Sequence, residues 1–505
     1  MPVVLDGNPK TIDEIASVAR GAEVVIPDVV RERIAASRRI VEEMVDRGAS
    51  VYGVTTGFGK FADVPISRPD IRTLQQNLVM SHAVGVGERF PWDEVRAAML
   101  LRANALAKGM SGVRPEVVET LVALLNRGVT PLVPQKGSVG ASGDLAPLSH
   151  ISLVLIGRGV ALYKGEVIPG PDALRMAGIK PLELDAKEGL ALTNGVQMTA
   201  GVLALAVGCG YELAKAADVV ASLSGQALSV ITTAYDPFVV DLRPHAGAKD
   251  AAANMRSLLG GSRLATAPGE VRVQDPYTLR CVPQVHGAVR QCLDHVKSVV
   301  EVESGSATDN PLVLPDGRAI SCGNFHGQPL GVAADYLGLS LCSLANISER
   351  RTFRLMDPAS SGLPAFLARH GGLNSGLMMI QYTAASLCSE CKVLAHPSSV
   401  DTIPTSAGQE DHVSMSTTAA RKARDIAWNV ASVLAIEYMS ACQALEFRDL
   451  SLLSPSGAAA FRMLRSKIPA VDVDREMSGD IATARDLILS GALAEAIASV
   501  GVALH

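Results

Sequence analysis

The sequence predicts a mainly α fold: a long-helix bundle with an N-terminal, loop-containing helical domain. Three observations predict it. Of 505 residues 48% are apolar but only 4% aromatic, so Ala, Leu and Val dominate, the composition of packed helices rather than of a β-sandwich. Beyond residue 196, apolar residues recur at three- and four-residue spacing over long stretches with few internal Pro or Gly. Before it, the same periodicity is interrupted by glycine-rich turns.

In chain order, residues 11 to 50 read as amphipathic helix until the turn VYGVTTGFGKF. Residues 91 to 129 resume the pattern, with Val95, Ala98, Met99, Ala103 and Leu106 at helical spacing. GSVGASGD is the second break. Periodic stretches then cover 196 to 235, 276 to 305, 328 to 356, 374 to 396 and 412 to 447; in the last, Ile426, Val430, Val433, Leu434, Ala441 and Leu445 mark a core-facing stripe. The expected division is an N-terminal domain over residues 1–195, a central long-helix bundle over 196–480 and a C-terminal helical segment over 481–505.

A net charge of -5 gives no electrostatic footprint for nucleic acid or an anionic membrane surface. A small molecule is the expected partner. The opening MPVVLDGNPKTIDEI lacks the basic and apolar regions of a secretory signal, and the most apolar run, GVLALAVGCG at 201 to 210, is too short to span a bilayer. Eight cysteines scattered mostly in apolar segments fit reduced, buried thiols, and the cytoplasm is the expected compartment. Cys388 and Cys391 have redox-motif spacing, but they fall in a helical run without a βαβ pattern, so a structural role is expected.

Two patterns fail on spacing. In GVTTGFGK the interval from Gly53 to Gly59 is one residue too long for a phosphate loop, and Phe61 stands where a Ser or Thr would hold a metal. The histidines include no H-E-x-x-H and no zinc-spaced cluster, and Asp309, Glu410 and Asp411 form no calcium loop. Neither metal nor nucleotide is expected.

The stretch GSVGASGDLAPLSH, residues 137 to 150, crowds small residues around one serine. A backbone amide can attack the carbonyl two residues back only where the chain bends sharply and no Cβ blocks the approach, which calls for glycine at the attacking position. Ala141, Ser142 and Gly143 meet that demand. If Ser142 then loses its hydroxyl as water, a methylidene group remains on a five-membered ring. A flexible turn capping the next helix would use the same tripeptide, so the surroundings decide.

Those surroundings resemble, over nearly the whole chain, the aromatic amino acid ammonia-lyase family. GSVGASGDLAPLSH is similar to its signature, and VYGVTTGFG, LTNGVQ, VQDPYTLRCVPQ, GNFHGQPL, SERRTFRLMDP and TSAGQEDHVSM follow in the family's order. The resemblance implies a carbon-nitrogen lyase that removes ammonia and a β-proton from an α-amino acid. It further implies a 4-methylidene-imidazol-5-one cofactor formed autocatalytically from Ala141, Ser142 and Gly143, and a homotetramer whose sites are shared between subunits.

By the same resemblance Tyr52 is the catalytic base, a phenol of ordinary pKa about 10 that its surroundings must activate. Arg280 clamps the substrate carboxylate through its planar fork. Tyr277 and Asn194 supply hydrogen bonds near the carboxylate and the cofactor carbonyl, Gln274 supports that network, and Phe325 lies beside the cofactor and the ring pocket. Ser81 and His82 match the ring-pocket pair of the family's histidine-acting members, and Glu410 follows them too. A desolvated imidazole needs partners for its nitrogens, and a facing carboxylate can accept its N–H or stabilise its positive charge. L-Histidine is the implied substrate, with trans-urocanate and ammonia as products.

Tyrosine lyase or tyrosine 2,3-aminomutase activity is the alternative. Gly327 and Gln328 stand where histidine-acting members usually read Ala-Glu, Gly408 where Asn is usual, and His286 where Met is more usual. A catalytically silent helical binding protein is the rival of another class, and it would carry no cofactor.

Overall fold

The computed structural model describes residues 2–505. Among them are twenty α-helices, and the strands are only two to four residues long, so the fold is mainly α, as composition and periodicity led one to expect. Two compact units form, each from three stretches of chain: Met1–Gly208, Val296–Asp335 and Pro397–Arg424 in the first, Cys209–His295, Tyr336–His396 and Asp425–His505 in the second.

The first unit begins with a reciprocal capping box between Thr11 and Glu14 that starts helix Ile12–Ala19 and satisfies amides a helix start leaves open. Helix Asp28–Asp46 follows, so the stretch 11 to 50 is two helices. Between them strand Val24–Val25 pairs in parallel with Val3–Val4. Helix Trp92–Ala107 is buried at every position from Glu94 to Ala107. The single stripe read in the sequence understates this helix, because Ile12–Ala19 and Pro115–Arg127, among others, pack against it.

Gly109 and Gly112, both at positive φ, turn the chain before Pro115; a Cβ on Gly112 would come within 2.2 Å of Val41 Cγ2. Helix Pro115–Arg127 opens on proline and ends on left-handed Gly128, each residue where its backbone preference suits. Helices Ile71–His82, Leu145–Leu155 and Glu188–Thr193 pack against one another pairwise. That trio gathers loops that are distant in sequence.

The second unit takes the greater part of four long helices, Gln197–Ala227, Val282–Ser304, Gln328–Met356 and Ser416–Leu445. Buried polar groups tie them. Glu437 accepts hydrogen bonds from Arg351 Nε and Nη2 at 2.6 and 2.9 Å and from Ser224 Oγ at 2.7 Å, and Asp218 bonds His286 Nδ1 at 2.6 Å and pairs with Arg290. The expected stretch 328 to 356 is one helix, whereas 276 to 305 breaks at Cys281 into Tyr277–Arg280 and Val282–Ser304. Helices Gln197–Ala227 and Gln328–Met356 are long and apolar enough to cross a membrane, but 67% and 61% of their apolar windows are buried in the fold.

All eight cysteines are free thiols. Cys388 lies on helix Met378–Leu394, where burial pushes its thiol up to about 12, away from the thiolate a redox role requires.

Candidate active site

The loop holding Ala141, Ser142 and Gly143 is clamped through its backbone. Gly140 and Gly143 are left-handed, with φ of 71° and 78°. A Cβ on Gly143 would lie 2.2 Å from the Gly195 carbonyl oxygen, and the two glycines form a parallel bridge. Only glycine fits there. The Asp144 amide donates to Gly195 O at 2.6 Å and the Met415 amide to Val139 O at 2.8 Å, while Ser414 Oγ donates to Gly140 O at 2.9 Å. Asp144 opens helix Leu145–Leu155, and its buried carboxylate accepts from Thr199 N, Thr199 Oγ1 and Thr417 Oγ1 at 2.6 to 2.8 Å. Burial raises its pKa, and these bonds oppose the rise.

Ser142 presents both of its oxygens to named partners. Asn194, which ends helix Glu188–Thr193, donates through Nδ2 to Ser142 O at 3.2 Å. Ser142 Oγ donates to Glu410 Oε1 at 2.8 Å, and Glu410 Oε2 accepts from Thr405 Oγ1 at 2.8 Å. Phe325 lines the neighbouring cavity of about 800 Å³ with Ala141, Ser142 and Glu410.

A second cavity of about 720 Å³ is lined by Tyr52, Leu78, His82, Ser142, Asn194 and Glu410, among others. Tyr52 sits in the turn after Val51; its Oη accepts from the Gly59 amide at 3.1 Å, and its ring meets Phe58 edge-on. Burial raises the pKa of the phenol, the Gly59 hydrogen bond lowers it and the Glu410 charge raises it, with a net upward shift. The activation expected of a base does not come from these neighbours. His82 ends helix Ile71–His82, with Nδ1 3.0 Å from Ser81 Oγ. Burial lowers its pKa against the opposing pull of the Leu78 carbonyl and Glu410, so the ring is neutral at neutral pH.

Eight sequence-expected residues thus line one or both cavities of the first unit: Tyr52, Ser81, His82, Ala141, Ser142, Asn194, Phe325 and Glu410. Gly143 is buried beneath them. Gln274, Tyr277 and Arg280 belong to the second unit. There Asp275 anchors their segment by accepting from the Ile231 amide and Arg272 Nε, both at 2.6 Å. Gln274 and Tyr277 are exposed, and the Arg280 guanidinium lies 4.5 Å from the Tyr277 ring centroid.

Sequence reasoning missed Gln75, Arg102 and Asp144. Gln75 is fully buried; its Nε2 donates to Gly53 O at 3.3 Å and its Oε1 accepts from the Leu190 amide at 3.2 Å, joining the Tyr52 turn to the helix that ends at Asn194. The available signal was a polar residue on the apolar side of its helix. Arg102 carried a clearer one, a cation inside the apolar run AAMLLRANALA.

The model of the family described as aromatic amino acid lyase matches residues 10–466. The histidine ammonia-lyase of Caldanaerobacter subterraneus subsp. tengcongensis is 53% identical over 505 residues, covering 100% of this chain and 99% of its own. That of Symbiobacterium thermophilum is 53% identical over 492 residues, 97% of each chain. Among solved structures, tyrosine aminomutase from Streptomyces globisporus superposes with a TM-score of 0.97 at 37% identity over 100% of both chains. Histidine ammonia-lyase from Trypanosoma cruzi gives 0.92 at 38% identity, covering 99% of this chain and 96% of its own.

Proposed function

The chain belongs to the aromatic amino acid lyase family, and on that footing we propose that it deaminates L-histidine without oxidation, to trans-urocanate and ammonia. The carrying observation is that His82 and Glu410 line the same cavity as Ser142. Relatives about half identical over their full length bear the name histidine ammonia-lyase.

Ala141, Ser142 and Gly143 fit a 4-methylidene-imidazol-5-one: glycine is obligatory at the attacking position, and Asn194 already donates to the carbonyl that the ring would keep. That group supplies an electrophilic carbon that no ordinary side chain offers. This chain's residues do the rest. Glu410 accepts the imidazole N–H, His82 supplies a neutral ring partner, and Phe325 helps wall the pocket. Tyr52 takes the β-proton. Its activation requires a cation beyond its present neighbours, and Arg280 is suited to that as well as to gripping the substrate carboxylate with Tyr277 and Gln274.

A cytoplasmic homotetramer with shared sites completes the proposal. Exposed Gln274 and Tyr277 are what residues delivered to a neighbouring copy require. No metal or nucleotide takes part in it.

Intact mass tests the cofactor. The purified chain is expected to be lighter than its sequence by two waters, and Ser142→Ala to lack the methylidene and all turnover while keeping its helical circular dichroism. Near-normal turnover by Ser142→Ala would sink the reading. The likeness to a tyrosine aminomutase, with Gly327 and Gln328, favours tyrosine as the second reading; chromatography detecting coumarate or a β-amino acid from L-tyrosine would select it.

A further inference from the structure

We infer that Arg102 is a positioning residue for cofactor formation, fixing from the core the Asn194–Gly195 backbone against which Ser142 and Gly143 are held. This rests on the reading that Ala141, Ser142 and Gly143 cyclise. Arg102 is 1% exposed and is not among the residues lining either cavity, so it is not a group that would touch substrate.

Its Nη1 donates to the Asn194 carbonyl at 2.6 Å and to Gln197 Oε1 at 3.0 Å. From that anchored strip, Asn194 Nδ2 reaches Ser142 O at 3.2 Å, and Gly195 bridges Gly143 while its carbonyl receives the Asp144 amide at 2.6 Å. The fit is close on both sides. A Cβ on Gly195 would come within 2.5 Å of Arg102 Nη1, and one on Gly143 within 2.2 Å of Gly195 O.

The charge itself points the same way. Lys187 and Asp309, both fully buried, pair at 2.8 Å, so the Asp309 carboxylate is shared between Lys187, which it bonds, and the charge of Arg102. The Nε and Nη2 of Arg102 find no acceptor. Burial lowers its pKa to about 10 while Asp309 opposes the fall, so it is charged at neutral pH. Packing alone would be better served by an apolar side chain. The guanidinium supplies what Leu or Met cannot: a fixed donor on the Asn194 carbonyl.

Two waters leave in maturation. Gly143 N bonds to the Ala141 carbonyl carbon, whose oxygen departs with the Gly143 and Ser142 amide protons. The Ser142 Cα–H and Cβ–Oγ bonds then break, a Cα–Cβ double bond forms, and the proton and hydroxyl leave as the second water. Neither step needs a co-reactant, so holding the backbone in reach is the protein's task.

The test is intact mass together with helical circular dichroism on the full chain as wild type, Arg102→Met and Arg102→Lys. A wild type at full sequence mass would defeat the cofactor reading and this inference with it. With the two-water deficit present in wild type, Arg102→Met is expected to stay helical and lose the deficit in most molecules, and Arg102→Lys to recover it. A complete deficit in Arg102→Met, or equal loss in both variants, would overturn the role of Arg102. Should Arg102→Met fail to fold, Gln197→Met removes the acceptor that orients the guanidinium together with the bond from Gln197 Nε2 to Thr308 Oγ1, and Thr308→Val removes the latter alone: an incomplete deficit in Gln197→Met but not in Thr308→Val supports the inference, and a complete deficit in Gln197→Met at the earliest sampling, or an equal loss in both, overturns it.

Discussion

Glu410 joins the reactive serine to its own loop, with Oε1 on Ser142 and Oε2 on Thr405. Replacing it by glutamine keeps the shape and removes the charge. A hydrogen bond to a charged group is worth ~1.5–3 kcal/mol, so Glu410→Gln is expected to lower kcat/KM for L-histidine by roughly ten- to a hundredfold. Steady-state kinetics should find any tyrosine turnover far less affected; equal losses would undo the imidazole argument. Tyr52 makes a pH prediction. Burial and Glu410 raise its pKa, so the phenolate grows only as pH rises, and kcat/KM should climb from neutral into alkaline solution. A flat profile, or one that survives Tyr52→Phe, would remove Tyr52 as the base. At this scale Tyr52, His82, Asn194 and Glu410, picked out in the sequence by the family resemblance, line one cavity. Gln75 and Arg102 were not legible in the sequence, because what distinguishes them is a partner about a hundred residues away in the chain, at Leu190 and at Asn194.

Among elements, the helix trio Ile71–His82, Leu145–Leu155 and Glu188–Thr193 fixes the site, and Gln75 is its internal fastening. Gln75→Leu leaves the Gly53 carbonyl and the Leu190 amide buried without their partner, at a cost of about 1–3 kcal/mol for each group left unsatisfied. Denaturant unfolding should show that loss, and unchanged stability would mean the two bonds are redundant. Element type was readable from periodicity, most cleanly for Gln328–Met356. Boundaries were less so. The stretch 276 to 305 breaks at Cys281, where the backbone leaves helical geometry (φ -98°, ψ 13°), two residues before Pro283, which has no N–H to continue the first helix. Helix Trp92–Ala107 looked one-sided because its buried Arg96, Arg102 and Asn104 read as a solvated face until their carbonyl and amide partners were known.

For the whole molecule, composition was enough to indicate an α fold, but not how the chain is distributed. The expected division was consecutive, whereas each compact unit collects three separated stretches; long helices with apolar stripes do not declare which neighbours will cover them. Within the second unit Arg351 and Glu437 are fully buried. Glu437→Leu strands the guanidinium and is expected to destabilise by about 3–5 kcal/mol. The double change Arg351→Met with Glu437→Leu should cost much less, and thermal or denaturant unfolding that ranks the two the other way would contradict the burial argument. The function rests on the site as a whole, and one measurement reaches it directly: ultraviolet absorbance of the purified protein mixed separately with L-histidine, L-tyrosine and L-phenylalanine. Rapid growth of a conjugated acrylate with L-histidine alone is expected. Growth with L-tyrosine instead would keep the cofactor and overturn the roles given to His82 and Glu410, and no absorbance change with any of the three would contradict the lyase account itself.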